Sequence, residues 1–164
     1  MAKEDAALFE KRDEPVQAAQ AYEQAIQEST GDLDLFLNLA VLYFVCTDPG
    51  YASHHRLSDD FVKIAWDKAN KVLDEAESRF GTQAEIIFWR HYFRFVVLGE
   101  EPFVDTCRQL AHSSPSLVPY FYLFTSPGGW EYRREAEQLL ELVRDGTTAK
   151  KRYIRSILKD RLGS

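Results

Sequence analysis

The sequence predicts an all-α fold built from helical hairpins, and three observations carry that expectation. Apolar residues recur at helical spacing, as in Val16, Ala18, Ala19, Tyr22, Ala25 and Ile26, and no segment alternates apolar and polar residues as a strand does. Ala6 and Phe9 recur as Ala40 and Tyr43, each pair 34 residues apart. Clusters of Gly, Pro, Asp and Ser cut the chain into helix-sized pieces.

The chain has 164 residues, enough for one domain with a core of its own. Hydrophobic residues make up 45% and charged residues 28%, which excludes long disorder. The net charge of −6 is unevenly spread: residues 1–34 hold nine acids against three bases, whereas residues 148–162 hold six bases against Asp160. Such asymmetry fits a face for nucleic acid or an acidic partner, but it fits the polar outer faces of end helices better. Met1–Asp5 contain no apolar signal core and no run reaches 18 apolar residues, so a reducing cytoplasm is the expected compartment, without a membrane span. Cys46 and Cys107 lie far apart among apolar residues and read as buried free thiols.

Each element has a local cause. A first helix is expected over Lys3–Arg12, ended by Asp13-Glu14-Pro15, with Pro15 at the first position of a second helix that reaches Glu28. Ser29-Thr30-Gly31-Asp32 ends that helix, with Gly31 as a left-handed stop and Asp32 as cap of the next. The third helix, Leu33–Cys46, is apolar almost all round, so contact on two sides is expected. Thr47-Asp48-Pro49-Gly50 reads as a turn opening an inserted loop, Tyr51–Leu57. Ala52 stands where the 34-residue period would repeat Ala18, but the small-residue pattern returns thirteen residues later, at Ala65, Ala69 and Val72. Ser58-Asp59-Asp60 caps a long helix to about Arg79. Thr82 and Glu85 form a capping-box pattern ahead of a helix over Gln83–Leu98, stopped by Gly99. Helices are then expected from Pro102 to His112, over Leu117–Phe124, after Ser126-Pro127-Gly128-Gly129 to Arg144, and over about residues 147–162.

Small residues at Ala18 and Ala25 bracket Tyr22, and with Ala6 and Phe9 they read as one repeat; Phe36, Leu39, Ala40 and Tyr43 read as the start of the next. On these residues the chain resembles the tetratricopeptide-repeat family over residues 2–46. The family's proline after the second helix is missing, and Thr30 stands near its place. Beyond residue 58 the helix pairs continue, with Gly99 and Pro115 as competing anchors for a later repeat. The resemblance implies one domain over 1–164, an α-α superhelix of eight or nine helices, with an inserted loop at about 47–58 and a capping helix at about 147–162. It also implies a groove lined by the first helix of each pair. Since Phe36, Leu39, Ala40 and Tyr43 take the packing face, the groove residues on the third helix are Asp34, Leu37, Asn38, Val41 and Val45. One subclass grips a peptide C-terminus with Lys, Asn and Arg. Lys3 and Asn38 stand at two such places, but Ala7 stands where an Asn is needed, so no clamp is expected.

Arg90 and Arg94 share a helix face, with His91 beside them, and fit a carboxylate or phosphate; internal pairing with Glu75, Glu77, Glu85 or Glu101, or plain solvation, is the competing reading. His54-His55 on a loop is expected to be solvated, without metal. No Gly-rich phosphate loop, Gly-x-Ser-x-Gly or His-Glu-x-x-His occurs, so no enzyme and no cofactor are expected. The run Tyr120–Phe124 exceeds what one helix face buries; core packing is the leading reading, and a binding patch or a homodimer seam for part of it is the alternative. The sequence therefore points to a non-enzymatic scaffold holding a protein or peptide segment, with an acidic one suited to Arg90 and Arg94. The alternatives are a small-ligand pocket near those arginines and a nucleic-acid-associated regulator using the basic C-terminal helix.

Overall fold

The computed structural model describes residues 1–28 and 31–163. Helices account for 78% of it, and the described residues form ten α-helices and one 3-10 helix with no strand. The α-helices are α1 (Ala2–Lys11), α2 (Pro15–Glu28), α3 (Leu33–Val45), α4 (Pro49–His54), α5 (Asp59–Phe80), α6 (Ala84–Leu98), α7 (Val104–Ser113), α8 (Val118–Thr125), α9 (Arg133–Leu142) and α10 (Ala149–Leu162); the 3-10 helix is Gly129–Tyr132. The chain divides into two compact units, Met1–Gly81 with Thr147–Lys150, and Thr82–Gly146 with Lys151–Ser164.

In the first unit α1 and α2 form a hairpin closed by a complete Schellman motif. Glu14 N donates to Phe9 O at 3.0 Å and Asp13 N to Glu10 O at 3.1 Å, with Asp13 left-handed at φ 57°. Aspartate tolerates that conformation better than most side chains. Ala6, Ala18, Ala25 and Ala40 are all buried, and their small side chains let α1, α2 and α3 approach closely. α3 is buried along nearly its whole length, as its all-round apolarity predicts. α5 lays the stripe Ala65, Ala69, Val72, Leu73 and Ala76 inward and packs on α3.

Polar ties fix these helices at their edges. Glu23 of α2 accepts from the hydroxyl of Tyr43 and, at 2.9 Å, from Lys68 of α5. Arg79 donates to Ile26 O at 3.1 Å and lies over the Phe36 ring, which Phe80 meets edge-on at 5.4 Å. Among the described residues, Glu10 is the charged side chain buried in the core, at 2% exposure. Its carboxyl oxygens accept from Ala149 N, both at 3.1 Å, and from the Tyr22 hydroxyl at 3.2 Å. Ala149 is the first residue of α10, so Glu10 satisfies a backbone donor that the helix start cannot satisfy itself.

Three local expectations change. The Asp48-Pro49 pair opens a helix: Asp48 caps it by accepting from Tyr51 N at 2.8 Å, and Pro49 takes the first turn, where its missing N–H costs nothing. The inserted segment is therefore helical over Pro49–His54 where a loop was expected. Gly31 is not left-handed, while Ser29 and Thr30, including the position that lacks the repeat family's proline, lie outside the described residues. Thr82 does not cap α6, whose N-cap is Gln83, with no side-chain capping bond. Asp32 and Ser58 do cap α3 and α5, accepting from Asp34 N at 3.1 Å and Phe61 N at 3.2 Å.

The second unit packs by aromatics. Phe88, Trp89 and Phe93 of α6 are fully buried together with Phe121 of α8. Phe103 stacks on Tyr122 at 4.1 Å, and the Tyr92 and Tyr153 hydroxyls share a hydrogen bond of 2.8 Å. Phe121, Tyr122, Leu123 and Phe124 are all buried, and Tyr120 is half-buried against Tyr132 at 5.9 Å. The aromatic run is thus core, which removes it as an exposed patch or dimer seam. Gly129 makes the close turn behind it, since a Cβ there would stand 2.1 Å from Leu123 O.

Replacing Tyr22 by Ala is expected to cost about 3–5 kcal/mol, the usual loss for a buried large aromatic. Tyr22→Phe should cost about 1 kcal/mol for the hydrogen bond to Glu10; chemical denaturation of both variants checks the difference. Glu10→Ala removes the acceptor that Glu10 offers to the Ala149 amide and the Tyr22 hydroxyl, so a loss of about 2–4 kcal/mol is expected. Earlier proteolytic release of α10 in that variant would locate the loss.

Candidate functional site

The structure places the predicted groove residues of α3 unequally. Asp34 is exposed and Asn38 half-buried, but Leu37 and Val41 are fully buried and Val45 is 7% exposed. A helix that is apolar on every side leaves no open apolar face, so these three side chains are not available to a partner. Asp34 lies 3.8 Å from Lys150, and Lys3, at a clamp-like position, is bonded to Asp32 at 2.5 Å. Asp32 holds the Lys3 ammonium above its usual range, and Lys3 in turn draws the Asp32 carboxyl down.

The other predicted residues lie at the corner between α6 and α7. Arg94 is exposed and makes an ion pair with Glu100 at 2.7 Å, an acid outside the set expected from sequence. Arg90 is half-buried and engaged in the structure. His91 is exposed and stacks on Phe103 at 5.3 Å. Gly99, left-handed at φ 65°, ends α6 and turns the chain beside them. A cleft of about 660 Å3 opens there, lined by His91 and residues 99–106. The last turn of α6, which leads into Gly99 of the cleft, carries three consecutive exposed aliphatic side chains, Val96 at 46%, Val97 at 41% and Leu98 at 56%. Arg94, Val97 and Leu98 share one face of α6 by their spacing. Sequence analysis singles out none of these aliphatics, because periodicity cannot show that the last turn of α6 stays uncovered before Gly99 stops it.

A second cluster forms in the first unit. Asp13, His54 and His55 each offer a ligand atom within 4.8 Å of the others. His55 is nearly buried, with 9% of its side chain exposed; its Nε2 is 2.8 Å from Asp13 Oδ2 and its Nδ1 is 3.0 Å from Tyr51 O. The Tyr51 ring stacks on it at 4.0 Å. His55 is therefore fixed by partners, contrary to the expectation of a solvated loop. The Asp48-Pro49 cap was the signal in sequence that could have placed it on a helix.

Much of the basic charge of α10 is spent within its own neighbourhood. Lys151 pairs with Asp145 at 3.0 Å, while Arg152 and Arg155 donate to the carbonyls of Gly146 at 3.1 Å and Arg144 at 2.9 Å.

Cys46 and Cys107 are both buried free thiols, and burial pushes each up to about 12; at Cys46 the negative field of Glu10 adds to it. Unfolded thiols ionise near 9.0, so their protonated state favours the fold below pH 9 and that contribution is lost as pH rises toward 12. A thiol reagent at pH 8 is expected to modify neither cysteine in the native protein and both in guanidinium, and the melting temperature is expected to fall above pH 9. No family model matches the chain, and no curated protein or solved structure was found to match it.

Proposed function

We propose that this protein is a non-enzymatic helical module of tetratricopeptide-like type that holds a protein or peptide segment. The observation that carries the reading is the run of exposed Val96, Val97 and Leu98 beside the cleft of His91 and residues 99–106. Exposed apolar side chains rimmed by polar ones are what a partner covers. Arg94 and Glu100 supply that rim here. An acidic segment would compete with Glu100 for the Arg94 guanidinium, which offers bidentate geometry to a carboxylate. The buried alanines and Tyr22, spaced as in a 34-residue repeat, support the likeness to tetratricopeptide hairpins and, by extension, an α-α superhelix. The docking surface we favour is nevertheless the end of α6, since Leu37, Val41 and Val45 are taken up by packing.

The nucleic-acid reading is weaker because Lys151, Arg152 and Arg155 already have partners. The small-ligand reading is weaker because the aromatics of α6 and α8 fill one another's space.

The test is selection of binding peptides from a displayed library on the full chain, with affinities then measured for variants. Val97→Asp and Leu98→Asp are each expected to weaken the selected peptides about tenfold, or 1.4 kcal/mol, with an unchanged melting temperature. Arg94→Ala should weaken acidic peptides selectively, and less so at high salt. Peptides that bind all three variants as tightly as the native chain would refute the site.

A further inference from the structure

We propose that Asp13, His54 and His55 form a binding site for a divalent transition-metal ion of the zinc type. The reason lies in the hydrogen bonds of His55. Its Nδ1 stands 3.0 Å from the carbonyl oxygen of Tyr51, which can only accept, and the tautomer that satisfies this contact carries its proton on Nδ1. In the neutral ring Nε2 then presents a bare lone pair. That lone pair faces the Asp13 carboxylate at 2.8 Å. Two acceptors at this distance need a positive species between them, either a second proton on the ring or a metal ion.

The third group favours the metal. His54 stands beside the pair, its ring 4.9 Å from that of His55 and edge-on to it, and brings a nitrogen within 4.8 Å of the other ligand atoms. A proton shared by His55 and Asp13 has no use for a second imidazole. Two imidazoles and a carboxylate are the ligand set of a catalytic or open zinc-type site, with a fourth position left to water. Ligands at about 2.0–2.1 Å from a tetrahedral ion lie roughly 3.3 Å apart, so binding asks His55 and Asp13 to open slightly and His54 to close in. The backbone-held Nδ1 of His55 is the kind of outer contact that orients a metal-bound histidine.

The backbone prepares this meeting. Asp13 and Arg56, at φ 57° and 52°, are the non-glycine residues with positive φ among those described. Each ends a helix in the same manner, since Leu57 N donates to Ala52 O at 2.9 Å and Arg56 N to Ser53 O at 3.2 Å, as Glu14 and Asp13 do after α1. The two helix ends thereby carry ligands 42 positions apart in sequence to one point, and the C-terminal end of α1 adds partial negative charge there. A bound ion would cross-link α1 to α4.

The experiment uses the full chain without a histidine tag, freed of metal by a chelator. Zinc chloride is titrated by calorimetry, and melting is followed with and without zinc. Saturable one-to-one binding and a higher melting temperature with zinc are expected. His54→Ala and Asp13→Asn should each weaken binding at least about tenfold, a loss typical of disturbed coordination. His54→Ala should leave the metal-free melting temperature unchanged, which separates ligation from folding; asparagine at position 13 accepts the left-handed backbone. Absence of saturable binding in the native chain, or native affinity in His54→Ala, would overturn the proposal and leave His55 and Asp13 as a proton-bridged pair.

Discussion

Glu10 is the interaction on which the first unit depends. A buried carboxyl group is expensive unless its oxygens are satisfied, and here the Ala149 amide and the Tyr22 hydroxyl satisfy them. The consequence runs both ways. The start of α10 gains an acceptor at the end of the helix that needs one, and α1 is held to a segment 139 positions away in sequence. The alanine packing makes this geometry accessible, because Ala6 and Ala18 bring α1 and α2 close enough for Tyr22 to reach Glu10. Burial raises the pKa of Cys46, and Glu10 adds to that rise.

The two units solve the packing problem with different side chains. The first uses alanines and a heavily buried α3, with polar ties such as Glu23 and Arg79 at the edges. The second uses interlocked aromatic rings, with Tyr92 meeting Phe88, Phe121 and Tyr153 at centroid distances of 5.2–6.0 Å. This difference has a functional consequence. Close alanine packing consumes the faces of α3, so Leu37 and Val41 are core. Ring packing is bulky and ends where the rings end, which leaves Val96, Val97 and Leu98 uncovered at the end of α6.

Helix C-termini shape both candidate sites. Gly99 ends α6 beside the cleft, and the left-handed Asp13 and Arg56 end α1 and α4 beside the histidines. A helix that stops abruptly exposes its last side chains in directions the helix itself would not offer. At Asp13 and Arg56 the left-handed backbone is held by residues other than glycine, so sterically unfavoured conformations sit next to the Asp13–His55 contact.

The sequence by itself determined the helical class, nearly all the helix positions, the caps at Asp32 and Ser58, and the burial of both cysteines. Each of these rests on local chemistry: periodicity, capping oxygens, proline and glycine. It misread Asp48-Pro49 as a turn, because the same pair can open either a turn or a helix and the residues after it decide between them. It placed Leu37, Val41 and Val45 in a groove, because periodicity says which residues share a face but not how many faces are covered. Only the tertiary structure paired Arg94 with Glu100, buried Glu10 against Ala149, and brought Asp13 to His54 and His55. These are meetings between residues whose separations carry no period, and they arise from how the helices pack and where each one stops.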